Sequence, residues 1–250
     1  MQKHFSSHNW SLSINLHGGR IEELSYKNEL ILGTFDRIDG KKGSTHLCVP
    51  NFSGEGVEEY GLPFHGPARN SDWSLVVSRR QPSDDNIICK IECNIKKTEK
   101  YPANLLVSQE FELQQKSFNH TITIYQFGTD KKSVSVNIGV HNYWATPRGW
   151  KGLLINGENV EEKVNTNGFV QLKDQNLVEF PDRKIRWEIN GFVEGVLWAA
   201  QKEGNFDSSY VCIEPVQNFS NSPFTIKETN LNSGGVISVT QKIYPPTIQQ

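Results

Sequence analysis

The chain has no long apolar run, no sustained helical period and no surplus of charge of either sign. No stretch of its 250 residues approaches the ~20 apolar residues that span a bilayer, and the opening MQKHFSSHNWSLSINLHGG lacks a continuous apolar segment of leader type. The expectation is a soluble, cytoplasmic protein with no membrane partner. A formal charge of −2 and a pI near 6.4 offer no basic field, and the Lys-Lys pairs at 41–42, 96–97 and 131–132 are scattered. Nucleic acid is therefore not an expected partner. Gly/Ser tracts, charge blocks, low-complexity segments and internal repeats are also missing, so one domain over residues 1–250 is the economical reading and a propeller is disfavoured. Without a phosphate-loop or dinucleotide glycine pattern, no nucleotide or flavin cofactor is expected.

Cysteine is scarce as well, which agrees with a reducing compartment. Cys89 and Cys93 lie four apart in the strand-like IICKIECNI. Along an extended strand that is roughly 13 Å, beyond the ~7 Å Cα limit for a disulfide. With Cys48 and Cys212 isolated and no CxxC spacing, no metal site is expected, and the four read as small core residues.

What is present is strand. Trp10–Leu16, Ile21–Tyr26, Glu29–Thr34, Trp73–Arg79, Asn86–Ile95, Leu105–Leu113, Ser117–Phe127, Ser133–Val140, Phe169–Leu172, Val196–Ala200, Tyr210–Ile213 and Val236–Ile243 are short runs rich in β-branched and aromatic residues. Joints such as HGG, NGEN, TNG, ING and NSGG supply the positive-φ positions that hairpins need. The pattern is that of a large, mostly antiparallel all-β sandwich.

Three segments carry chemistry. In Leu62–Trp73, LPFHGPARNSDW, Pro63, Gly66 and Pro67 fix a turn from which His65 and Arg69 project. A histidine exchanges protons near neutral pH, and an arginine offers a fork of donors to oxygens; the plain alternative is a surface loop whose His and Arg bond nearby carbonyls. In Ser133–Tyr143, SVSVNIGVHNY, period two places His141 and Tyr143 on a polar face with Ser133, Ser135, Asn137 and Gly139. Val134, Val136, Ile138 and Val140 take the opposite, core face. In Tyr210–Asn218, YVCIEPVQN, Glu214 follows the apolar run Val211–Ile213, and a carboxylate at the end of a buried strand is costly unless paired or given a task. Its plain alternative is a strand-terminal glutamate reaching solvent.

His65 within FHGPAR, His141 within VHNYW and Glu214 within CIEP resemble, in chain order, the three marks of the aldose 1-epimerases, the galactose mutarotase-like proteins. GGRIEEL from Gly18 and LNSGGVISVTQKI from Leu231 resemble the family's opening hairpin and closing strand, so the resemblance covers most of the chain. It implies a β-supersandwich and an isomerase that interconverts the α and β anomers of a hexose. Arg69, Asn70, Ser71 and Trp73 beside His65 are closest to the branch acting on hexose 6-phosphates, where this arginine helps hold the phosphate. That branch has a second arginine where this chain, in KKGSTHLCVPNF, has Lys42, which is not an equivalent bidentate clamp.

The implied chemistry needs one base and one acid: the C1 hydroxyl loses a proton, the ring oxygen gains one, and the ring opens, rotates and recloses. Reference pKa values make Glu214, ionised, the base and His141, protonated, the acid. His65 would orient the sugar, Arg69 would bind oxygens further out, and Tyr143, Trp144 and Trp73 would floor the site. Lys42 and Gln217 are further candidate contacts, as are Ser44, Thr45, His46 and Asn51. A non-catalytic carbohydrate-binding or regulatory module is the alternative, and it would gain nothing from a carboxylate opposite an imidazole. A glycosidase would need a second carboxylate, with Asp72, Glu58 and Asp207 equally eligible. The expected partner is a small sugar or sugar phosphate, and the expected state a monomer or weak homodimer.

Overall fold

The computed structural model describes residues 1–52, 54, 57–128, 132–218 and 229–248. Two large antiparallel sheets dominate them. The first runs, in spatial order, Gln2–Ser7, Trp10–Asn15, Arg20–Tyr26, Glu29–Asp36, Tyr143–Ala145, Tyr210–Val216, Gly139–His141 and His46–Cys48. The second runs Glu158–Asn159, Leu154–Ile155, Gln175–Glu179, Arg183–Asn190, Val236–Ile243, Ser117–Phe127, Asn104–Gln114, Ile87–Ile95 and Ser74–Arg80. Among the described residues helix is confined to Val57–Tyr60 and Glu161–Asn165 and a 3-10 turn at Ala68–Asn70, in keeping with the lack of helical periodicity. Among the described residues no helix is long and apolar enough to cross a membrane.

One apolar cluster fills the space between the sheets. Trp10 packs on Phe118 at 6.4 Å between ring centroids, and Trp144 meets Trp187 edge-on at 5.5 Å. Each pair joins a strand of one sheet to a strand of the other, and edge-to-face geometry suits two aromatic quadrupoles. Cys48, Cys89, Cys93 and Cys212 are buried free thiols.

Several strands lay outside the expectation. Gln2–Ser7 is a polar, half-exposed edge strand held by its pairing to Trp10–Asn15. Arg183–Asn190 hides its period of two under charge: Arg183, Ile185, Trp187 and Ile189 are buried while Arg186 and Asn190 face solvent. The stretch Ser133–Tyr143 is not one strand. Val134–Val136 pairs with Thr229–Leu231, while Gly139–His141 and Tyr143–Ala145 join the first sheet. The breaks have local causes, since the Asn137 and Ile138 amides donate to Pro50 O and Gln217 Oε1, and Asn142 N–H turns back to Val140 O at 2.9 Å. The alternation of faces survives them. Val134, Val136, Ile138 and Val140 enter the main core, and His141 stacks on Tyr143 at 4.9 Å on the other side.

The loop carrying His65 is locked by backbone geometry. His65 and Gly66 have φ of 64° and 74°, and a Cβ on Gly66 would lie 2.0 Å from Val49 O. Only glycine meets both conditions. Gly66→Ala is expected to destabilise the protein by about 2 kcal/mol or more, read as a lower denaturant midpoint at unchanged slope. An unchanged midpoint would show that the loop relaxes freely.

Candidate active site

The strand Tyr210–Val216 is buried throughout and serves two compartments. Val211 and Ile213 point into the main core, while Tyr210 and Cys212 belong to a separate cluster with Tyr143 on the opposite face. Glu214 shares that opposite face. It is not at a strand end reaching solvent, as the plain reading of the sequence had it, but mid-strand and 2% exposed. Its neighbour is His141, whose Nε2 lies 3.3 Å from Glu214 Oε1.

The pair forms the floor of a cleft of about 470 Å³, within the range of small-molecule sites. His65 reaches it from the locked loop, its ring edge-on to that of His141 at 5.4 Å, and His46 stacks on His141 at 4.8 Å. Tyr143, Trp198, Phe52 and Phe64 supply apolar and aromatic wall, and Gly43 is bare because a Cβ would meet the Tyr143 ring at 2.3 Å. Arg20, Arg37, Lys41, Lys42 and Arg69 line the same space, whereas Glu214 is the only acidic residue lining it among those described. The cleft is cationic.

Some sequence candidates do other work. Trp73 is not a floor to the cleft: it is buried in the core, its indole N–H donating to Ala68 O at 3.0 Å, so it braces the His65–Arg69 loop from behind. Trp144 likewise faces the core. Gln217 accepts from Ile138 N–H, Thr45 Oγ1 from Tyr143 N–H, and Asn51 Nδ2 donates to Pro63 O; none of the three lines the cleft, but Ser44 and His46 do. Asp72 is an exposed partner of His17, Asp207 anchors Ile38 and Ser209, and Glu58 sits exposed on a short helix, so none supplies a second carboxylate to the cleft. Arg20, Arg37 and Trp198 escaped sequence reasoning as site residues. Arg20 stood within a quoted hairpin, while Arg37 and Trp198 come together only in space, the guanidinium 4.6 Å over the indole.

Burial decides the protonation. It drives the Glu214 carboxyl well above the ordinary carboxylate range, and it drives His141 well below the ordinary imidazole range, helped by His46, His65 and Arg69. Both directions favour the neutral form of the pair over the ionised Glu214 and protonated His141 that reference values suggest. Either way the pair holds one transferable proton. Cys212 Sγ lies within 4.8 Å of the ligand atoms of His141 and Glu214. This donor set suits a metal poorly, because five cationic side chains share the cleft.

The profile of the aldose 1-epimerase family matches residues 4–185. The chain belongs to the aldose 1-epimerase family. The family is one of isomerases acting on sugars, and its fold recurs across the whole chain. A galactose mutarotase-like protein from Clostridium acetobutylicum superposes with a TM-score of 0.75 at 18% identity, over 98% of this chain and 95% of that one. A galactose mutarotase related enzyme from Lactobacillus acidophilus gives 0.75 at 12% over 100% and 98%, and a galactose 1-epimerase from the same species 0.70 at 11% over 98% and 93%. At these identities the likeness is one of fold. No curated protein matches the sequence.

The buried histidines set an acid limit on stability. The unfolded chain binds protons at histidine near 6.5, whereas burial, with Arg69 nearby, holds folded His65 to about 4, and burial alone holds His120 to about 3. Depressed folded values give stability that is complete above 6.5 and is lost as pH falls toward the folded values. Glu214, raised, works the other way, its contribution present below its unfolded 4.5 and lost as pH rises through its folded value. With His46 and His141 depressed too, the histidines outnumber it. The urea midpoint should fall between about pH 7 and pH 5, and His120→Gln should shallow that fall. A midpoint constant over this range would contradict the assignment.

Proposed function

We propose that the protein is a mutarotase whose aldose substrate carries an anionic group, a hexose 6-phosphate being the form that best suits the charge of the cleft. The observation that carries this reading is the His141–Glu214 pair, 3.3 Å apart on the floor of a cleft walled by Arg20, Arg37, Lys41, Lys42 and Arg69. Lys42 is no substitute for a bidentate clamp, but Arg20, at the head of one strand, and Arg37, in the turn after Glu29–Asp36, supply planar forks beside Arg69. Arg20 Nη2 donates to Arg69 O at 3.0 Å, which sets the two guanidinium-bearing residues side by side. Burial, then the charge of Arg69, lowers the Arg20 pKa, and an anion between them would relieve that repulsion.

In the proposed cycle the proton first passes from Glu214 to His141 across their contact. Glu214 then takes the proton of the C1 hydroxyl while His141 gives its proton to the ring oxygen, breaking the C1–O5 bond and leaving an open-chain aldehyde. Rotation about C1–C2 and the reverse transfers close the ring on the other face. The pair ends with the one proton it began with, so no other reactant is consumed. His65 orients the ring, and Tyr143 and Trp198 offer aromatic surface to its C–H face.

The purified protein should accelerate anomer exchange of at least one hexose or hexose phosphate, followed by polarimetry or exchange NMR. Glu214→Gln and His141→Asn should each lose about 10²–10⁴-fold in kcat with sugar affinity and Tm near wild type. Sugar binding without exchange across a panel of free and phosphorylated aldoses would make the protein a binding module instead.

Arg69→Lys should raise KM for phosphorylated substrates more than for free ones, since lysine cannot reproduce a two-point contact. Equal losses on both would remove Arg69 from phosphate recognition.

A further inference from the structure

Behind the acid–base pair, the core between the sheets holds a string of polar side chains that the proposed chemistry does not use. Asn142, Gln241, His120 and Gln109 are each at most 1% exposed. Asn142 Nδ2 donates to Gln241 Oε1 at 2.9 Å, and Gln241 Nε2 faces His120 Nδ1 at 3.1 Å. His120 Nε2 faces Gln109 Oε1 at 3.0 Å, and Gln109 Nε2 donates to Gly19 O at 2.9 Å. The string starts between two strands of the first sheet, crosses three neighbouring strands of the second and ends at the turn that leads into Arg20–Tyr26 of the first.

Its polarity is fixed at both ends. Trp187 Nε1, which can only donate, lies 3.3 Å from Gln241 Oε1, and the Gly19 carbonyl can only accept. The Gln241 amide therefore turns its NH₂ to His120, whose Nδ1 must accept and whose Nε2 must carry the proton. A second proton on His120 would set donor against donor, and the apolar surroundings hold its pKa to about 3. Every link then has one donor and one acceptor.

Both ends touch cleft walls. Asn142 stands between His141 and Tyr143, its N–H closing a tight turn on Val140 O, so the turn's central residue is His141. Gly19 stands between Arg20 and Gly18, and Gly18 N–H donates to Ser71 O at 2.8 Å in the loop carrying Arg69. Holding the Asn142 side chain in the core fixes the turn that aims the imidazole.

We propose that Gln241 is a positioning residue for the His141–Glu214 pair, acting through a one-way hydrogen-bond chain from Asn142 to Gly19 in which neutral His120 is the central link. The inference rests on the mutarotase reading for its kinetic consequence, but not for its structural one. Gln241→Met keeps the volume and removes both amide functions. His120→Phe keeps a ring against Phe111, which it stacks upon at 4.6 Å, and removes both bonds. His120→Gln can accept and donate in the same direction. Val239→Ala, on the strand of Gln241 and facing the same core, weakens packing without touching the chain.

Anomer exchange should show Gln241→Met and His120→Phe losing about 10- to 100-fold in kcat at near-constant KM, with His120→Gln close to wild type. Val239→Ala should lower Tm and leave kcat alone. The same proteins labelled with ¹⁵N-histidine give a readout independent of turnover: His120 as the Nε2–H tautomer, and His141 ring signals displaced in Gln241→Met but not in Val239→Ala. Loss of Tm alone in Gln241→Met, equal kcat losses in Val239→Ala, or unmoved His141 signals would overturn the proposal. If the wild type turns over no sugar, the mutarotase reading fails while the histidine signals still decide this one. Should Gln241→Met not fold, His120→Phe carries the same comparison.

Discussion

Everything at the site depends on a carboxyl group buried in the middle of a β-strand. Glu214 is buried, where an unpaired charge would be prohibitive, and its tolerable states are a protonated acid or a partner in an ion pair. His141 makes both available with a single proton. On the proposed reading, unfavourable solvation of the charged forms is what keeps one proton mobile between two atoms 3.3 Å apart. The surrounding cations, the stacked histidines and the locked loop are arranged around that pair.

The fold was largely legible because period two is a strong signal where one face is greasy. Ile87–Ile95, Asn104–Gln114 and Ser117–Phe127 announce themselves by alternation, and their observed limits differ little from those expected. The family resemblance added the architecture, which the profile match and the fold neighbours bear out. Gln2–Ser7 and Arg183–Asn190 were obscured because polar residues on an edge, or charges on the outer face, hide the pattern. The continuous strand expected through Ser133–Tyr143 failed for another reason: Asn137, Ile138 and Asn142 spend their amides on partners that no local pattern reveals.

The site was legible where its residues sit in rigid, motif-like stretches. His65, His141 and Glu214 come together in the cleft, as do Arg69, Tyr143 and Lys42. Trp73 and Gln217 do not, because an indole and an amide next to functional residues are as readily used to brace a loop or satisfy a backbone amide. Arg20 and Arg37 had no motif to flag them, since a cationic wall assembled from separate strands exists only after folding. Burial of the pair was out of reach for the same reason: reference pKa values describe water, and the depth of Glu214 and His141 is a tertiary fact.

The strand Tyr210–Val216 has a consequence for how errors in folding are handled. Its odd positions, Val211 and Ile213, feed the core, and its even positions turn the other way, Cys212 into the cluster with Tyr143 and Glu214 into the cleft. Sliding it by one residue against Tyr143–Ala145 would thrust the carboxyl into hydrocarbon and turn two aliphatic side chains toward the cleft side at once. Misaligned chains are thereby removed by their own instability. Molecules that survive as folded protein carry the carboxyl on the correct side, so the fold acts as its own quality control over the functional group it displays.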